Sequence, residues 1–306
     1  MSPVTPVDMS FRRLRGRQTD SQCRIHGYRQ PGGVEVVGVE RFRKLFRGPK
    51  PVIGMVHLKA LPGTPLYDAF DGIEGIVAGA RQDLRALQAA GVDAVMFGNE
   101  NDRPYELKVD PASTAAMACA IGRLWEEITV PFGVDVLWDA HSTIALAAAT
   151  GASFAREIFT GVYGSDMGLW EGQAASALRY RRLLGRDDLL VLYNVSAEFA
   201  SSMDSRSVAD RARSAVFSSL ADAVLVSGPM TGETVPLEHL RATKRALPDV
   251  PVLANTGVRL ENVAETLSAA DGCIVGTALK VDGVTWNPVD PARAERFMEA
   301  VRRVRG

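Results

Sequence analysis

From Pro51 to the C-terminus, short unbroken apolar runs alternate with longer stretches in which apolar residues recur every three or four positions. The runs fall at 52–57, 94–97, 132–137, 154–158, 189–193, 223–226, 252–254 and 273–275. They are rich in Val, Ile and Leu on both parities, as strands buried on both faces must be. The spaced stretches predict helices near 73–90, 112–127, 142–149, 172–184, 206–219, 236–246, 260–268 and 291–304. In the first helix Ile76, Ala80, Asp83-Leu84 and Leu87 make the inner stripe, Arg81, Arg85 and Gln88 lie between them, and Gly91 ends it. Eight strand–helix units predict a parallel sheet with right-handed crossovers, and eight is the number that closes a (β/α)8 TIM barrel. No GxGxxG follows the first strand, which disfavours the rival, an open doubly wound sheet. Residues 39–47 predict a short helix that plugs the barrel floor. The predicted fold class is therefore α/β, with residues 39–306 as one barrel domain.

Charge separates the N-terminus from this body. Residues 1–50 carry 11 Lys/Arg against 4 Asp/Glu, although the chain of 306 residues is net −1. Residues 1–38 lack a core period and read as a poorly ordered basic extension, with no apolar segment and cleavage site of a secretory signal. The overall balance removes a general electrostatic case for nucleic acid. No apolar run reaches the ~18 residues of a membrane span. Cys23, Cys119 and Cys273 are far apart, with no CxxC, which fits a reducing cytoplasm.

In a barrel of this kind the working face lies at the carboxyl ends of the strands. The last two strands run into Asn255-Thr256-Gly257 and Gly276-Thr277-Ala278. Small residues there let backbone N–H groups approach an anion, which predicts a phosphate site, with Lys280 adding charge if it faces inward. The bland alternative is that Gly257 and Gly276 only make tight turns. His57 ends the first strand and is either a general acid–base or a histidine bonded to a loop carbonyl. After the second strand, Asn99, Glu100 and Asp102 offer ligand contacts and acid–base carboxylates. The same loop offers oxygen ligands to a divalent metal, although its spacing matches no EF-hand. The cofactor is otherwise undetermined.

Asp139, after the third strand, is a catalytic candidate whose plain alternative is the N-cap of the next helix. Trp138 beside it offers an aromatic wall. Asp135 lies within the third strand and Arg156-Glu157 within the fourth. By the period of two, either Arg156 or Glu157 points into the barrel. Asp135 and Arg156 either pair structurally or present a guanidinium to a ligand. Residues 160–168 read as a Gly-rich mobile lid. Asn194 and Glu198 after the fifth strand, and Ser227 after the sixth, complete the set. There is no GxSxG, HExxH or Walker loop.

Several phrases together resemble the BtpA/SgcQ family of TIM-barrel proteins. They are Lys50-Pro51-Val52-Ile53-Gly54-Met55-Val56-His57-Leu58 with Leu61-Pro62-Gly63, Ala148-Ala149-Thr150-Gly151-Ala152, Thr160-Gly161 before Glu171-Gly172, and Arg179-Tyr180-Arg181-Arg182. Ala269-Ala270-Asp271-Gly272-Cys273-Ile274-Val275-Gly276-Thr277 and Asn287-Pro288-Val289-Asp290 complete the match. The resemblance implies the barrel, and either of two functions. One is an enzyme of sugar metabolism; the loops at 255–257 and 276–278, facing His57 and Glu100–Asp102, add to this a small phosphorylated ligand, a sugar phosphate or nucleotide-like compound, and proton transfer as an isomerase, epimerase or lyase. The other is a non-catalytic assembly factor of the photosystem I biogenesis type. Self-association through the barrel helices is compatible with both. The chain departs from the family after the fifth strand, where many members carry an Asp-Val-His-Val-Lys-His type segment and this one reads Tyr193-Asn194-Val195-Ser196-Ala197-Glu198.

Overall fold

The structure is a computed structural model and describes residues 37–306. The expected basic extension therefore lies outside the described residues, apart from its last two positions. Helix α1 (Val37–Leu45) comes first, two residues earlier than the pattern suggests. Strands β1 (Val52–His57), β2 (Ala94–Gly98), β3 (Phe132–Asp135) and β4 (Phe154–Glu157) alternate with α2 (Gly72–Ala90), α3 (Pro111–Leu124) and α4 (Ala140–Thr150). The chain then makes the hairpin β5 (Val162–Ser165) and β6 (Gly168–Glu171) before α5 (Ala174–Leu183) and β7 (Leu190–Asn194). A short β8 (Ala200–Ser202) precedes α6 (Val208–Ser219), β9 (Ala223–Val226), α7 (Leu237–Ala246), β10 (Val252–Ala254), α8 (Val263–Ala269), β11 (Gly272–Val275) and α9 (Pro291–Arg305).

Eight strands close a parallel barrel in the order β1-β11-β10-β9-β7-β4-β3-β2. All eight expected runs are barrel strands. Their inward side chains form one cluster: Ile53, Met55, Met96, Phe154, Leu190, Leu192, Leu225, Leu253 and Ile274 among them. Phe42 and Phe46 of the α1 region belong to that cluster, and the Phe46 ring centroid lies 6.0 Å from that of Phe154. The short helix thus plugs the floor, as its position before the first strand suggests. A second, larger cluster fills the space between strands and outer helices.

Two departures from the sequence reading bear on the site. Residues 160–168 do not form an irregular lid. They build most of the β5–β6 hairpin, which pairs with β8 in an antiparallel three-stranded sheet above the barrel. Lys280 does not face a ligand. It is buried against α2 in an ion pair with Asp83, whose other oxygen accepts from the Val289 N–H at 2.7 Å. No helix among the described residues is long and apolar enough to cross a membrane.

Candidate functional site

A cavity of about 370 Å3 opens at the carboxyl ends of the barrel strands. Met55 and Ile274 form its floor, and His57, Glu100, Arg156 and Glu198 project above them. His57 ends β1 because its parity carries it inward, one layer above Met55. Its Nε2 lies 3.6 Å from Glu100 Oε1, and both side chains are buried. On the ring's other edge, Nδ1 lies 3.4 Å from the Thr285 carbonyl. With Nδ1 protonated toward that carbonyl, Nε2 is left as an acceptor facing Glu100. Burial, with the nearby charges of Lys280 and Arg156 added, holds the imidazole pKa well below its ordinary value. Burial raises the Glu100 carboxyl to about 8, against the pull of Arg156. Glu100 Oε2 is buried with no hydrogen-bond partner. At pH 7 the proton therefore sits on Glu100, beside a neutral imidazole.

Gly276 is what lets the ring stand there. A Cβ at this position would lie 2.9 Å from His57 Cε1 and 3.0 Å from Nε2. The residue starts the short turn Thr277–Leu279, whose leading N–H groups have no partner within the turn. Gly257 answers a different need. Its φ is +63°, and a Cβ would meet the Glu233–Thr234 backbone at 2.3 Å. That glycine lets the loop after β9 lie on the loop after β10.

Arg156 reaches inward from β4 and settles the parity question. It pairs with Asp135 on β3, and its Nη1 donates to Asn255 Oδ1 at 3.1 Å. Burial opposes its charge, but the nearby carboxyls, Asp135 first and then Glu198, hold it protonated. Glu157, of the opposite parity, does not line the cavity, and its Oε2 accepts from the Ile158 N–H. Burial and the Asp135 charge raise its pKa, so it keeps a proton and shares it with Asp135. Arg156, Asp135 and Glu157 thus form a closed group carrying little net charge.

From Arg156 a polar chain runs across the mouth. Asn255 Nδ2 donates to Ser227 Oγ at 2.7 Å, and Asn194 Nδ2 donates to the same oxygen at 2.9 Å. Glu198 accepts from Thr231 Oγ1 at 2.7 Å and, at 3.4 Å, from Ser227 and Asn255. Thr256 Oγ1 accepts from the Gly228 N–H at 2.6 Å, and Thr277 Oγ1 lies 2.9 Å from Thr285 Oγ1.

Three expected residues serve the frame instead. Asp139 caps α4, accepting from Ser142 N at 3.0 Å and Ser142 Oγ at 2.9 Å, and it does not line the main cavity. Asp102 accepts from the Leu61 N–H at 2.8 Å and from Asn99 Nδ2 at 3.0 Å. Asn99 Oδ1 accepts from the Leu137 N–H at 2.7 Å. Asn99 and Asp102 therefore tie the loops after β1, β2 and β3 together. Among the described residues no group of three or more His, Cys, Asp or Glu side chains converges as a metal ion requires.

Other residues in the cavity wall escaped the sequence reading. Arg259, Arg293 and Arg296 line the side beyond Gly257 and Gly276, the last two one turn apart on α9. Tyr105 lines the opposite side with Trp138, the rings meeting edge to face at 5.9 Å. The cavity wall thus holds three arginines with Glu261 and Asp282 near them, an aromatic pair, and a buried acid–base pair.

Sequence comparison gives this arrangement relatives. Residues 48–303 match the model of the BtpA family. The chain belongs to the BtpA family. It is 47% identical over 271 residues to the sgc region protein SgcQ of Escherichia coli K12, covering 89% of this chain and 98% of that one. It is 35% identical over 259 residues to the photosystem I biogenesis protein BtpA of Synechocystis, covering 84% and 89%. Among solved structures, this BtpA-family barrel is similar to tryptophan synthase from M. tuberculosis (TM-score 0.53, 18% identity, 86% and 99% covered). It is also similar to phosphoribosyl anthranilate isomerase from Thermus thermophilus (TM-score 0.51, 12% identity, 83% and 98% covered). Identities this low establish the shared TIM-barrel fold and nothing of the chemistry.

Proposed function

We propose that this BtpA-family chain is an enzyme that moves a proton on a small phosphorylated metabolite, a sugar phosphate or nucleotide-like compound. The observation that carries the reading is the His57–Glu100 pair. A neutral base and a neutral acid, buried 3.6 Å apart at the carboxyl end of a barrel, are what general acid–base catalysis needs at pH 7. Arg259, Arg293 and Arg296, beside the turn that starts at Gly276, supply a basic end suited to a phosphoryl group. The cavity volume is that of a small-metabolite site. Tyr105 and Trp138 give the far end a flat apolar wall.

The test is a thermal-shift panel of phosphorylated metabolites, each run beside its dephosphorylated form. A ligand at 100 times its Kd stabilises by about 2.7 kcal/mol. Selective shifts by phosphorylated members support the reading; shifts only by unphosphorylated compounds contradict it. The name of the Synechocystis relative favours a second reading, an assembly factor without chemistry. Under that reading a His57→Gln chain complements a deletion strain as well as the parent does.

A further inference from the structure

Glu198 stands on the wall of the mouth opposite the His57–Glu100 pair. It follows β7, and β7 lies four places from β1 around the ring of eight strands, directly across the barrel. Both carboxyls line the same cavity, and the Arg156–Asn255 bridge spans the space between them.

Their surroundings differ in kind. Glu198 is buried and accepts from three donors, Thr231, Ser227 and Asn255. Burial raises the Glu198 pKa, and the three donors together with the Arg156 charge support the carboxylate form against it. Glu100 has a buried oxygen with no partner and faces an imidazole acceptor, which suits a carboxylic acid. A site that needed one base would not require a second buried carboxyl on the far wall. Glu198 also supports the Arg156 charge, but it makes no ion pair of its own, and its carboxyl still lines the cavity.

We propose that Glu198 is a second proton-transfer group, and that the site epimerises a phosphorylated carbonyl compound by a two-base mechanism. This rests on the reading under Proposed function and narrows it. Glu198 takes the proton from the carbon next to the carbonyl as the C–H bond breaks, and the electron pair moves onto the carbonyl oxygen. The Glu100 side returns a proton to the opposite face of the same carbon as the carbonyl re-forms. One proton leaves and one arrives, so no co-reactant is required and the product is the epimer.

The experiment follows aldose and ketose phosphates of three to six carbons in D2O by 1H NMR, with the full chain. The parent is expected to exchange the C–H beside the carbonyl for deuterium and to form the epimer. Glu198→Gln is expected to lower epimer formation about 10²- to 10⁴-fold, with inorganic phosphate affinity within threefold of the parent. Glu198→Asp should recover part of the rate. If the parent exchanges no compound of the panel, the reading under Proposed function falls with this one. If the parent epimerises and Glu198→Gln does so equally well, or if exchange proceeds with no epimer, only the two-base proposal falls.

Thr231→Val guards against a Glu198 variant that fails to fold. The ionisable groups facing Glu198 are Arg156, Asp135 and Tyr105. Loss of the Thr231 donor removes support from the carboxylate, so the acidic limb of kcat/KM should move to higher pH. An unmoved limb overturns the proposal.

Discussion

Glu100 holds a proton 3.6 Å from the imidazole of His57, and neither group has a charged partner of its own. The ordinary order of acid strength is inverted here, with the carboxyl the weaker acid. Exposed to water, the same two residues would form an ion pair. Burial at the end of β1 and β2 makes both neutral.

Glu100→Gln keeps the shape and removes the proton. Turnover should fall about 10²- to 10⁴-fold. The folded carboxyl stays protonated to about pH 8, whereas the ordinary value is 4.5. The folded state therefore binds the extra proton between those values. Its stabilising contribution is complete below pH 4.5 and is lost as the pH rises to about 8. Denaturant titrations at pH 5 and pH 8 should show the parent losing at least about 1 kcal/mol more than the variant. Equal losses would place the proton elsewhere.

Gly276→Ala puts a methyl group 2.9 Å from His57 Cε1. The nearest atoms are those of the His57 ring, so the imidazole must give way. Turnover should drop about tenfold or more, while inorganic phosphate affinity changes less than threefold. An equal fall in both would mean that the methyl group blocks the whole cavity.

Arg296→Gln, alone and with Arg293→Gln, tests the basic end. Each lost charge-assisted bond costs about 1.5 kcal/mol, roughly tenfold in affinity for a phosphorylated ligand. Calorimetry should show that loss with an unchanged melting temperature for Arg296→Gln, whose side chain is exposed on α9, whereas Arg293 also donates to the Ala278 carbonyl and pairs with Asp290. Unchanged affinity in the double variant would move the phosphoryl group away from α9.

Asp83→Asn breaks the buried pair with Lys280 and leaves an uncompensated ammonium. The loss should be about 3–5 kcal/mol, far above that of Glu74→Gln, whose pair with Arg123 is exposed to solvent. Chemical denaturation of the two variants gives the comparison. A small loss for Asp83→Asn would show that the ammonium finds water.

The barrel was legible in the chain because eight buried strands leave eight unbroken apolar runs. The β5–β6 hairpin was not. Gly161, Gly164 and Gly168 punctuate strands of four residues that are half exposed, and such a stretch reads as a loop. The mouth was half legible. Position at strand ends pointed to His57, Glu100 and Asn255, and a charge within a buried strand pointed to Arg156, but a linear pattern gives no distances, so Asp102 stood beside them, as did Asp139 despite its helix-cap alternative. Lys280 misled because its partner, Asp83, hides within the apolar stripe of α2, 197 positions away. Arg293 and Arg296 were invisible for the opposite reason: basic residues three apart on an amphipathic helix normally mark a solvated face.

The most direct measurement needs no substrate. The chain is labelled with 13C at the glutamate carboxyl carbon, and Glu100 is identified by comparison with Glu100→Gln. The Glu100 resonance should titrate near pH 8, well separated from the surface glutamates, while the His57 ring stays neutral at pH 6. A Glu100 resonance that titrates with the surface glutamates, beside an imidazole that protonates near 6.5, would contradict the proton-transfer reading of this site.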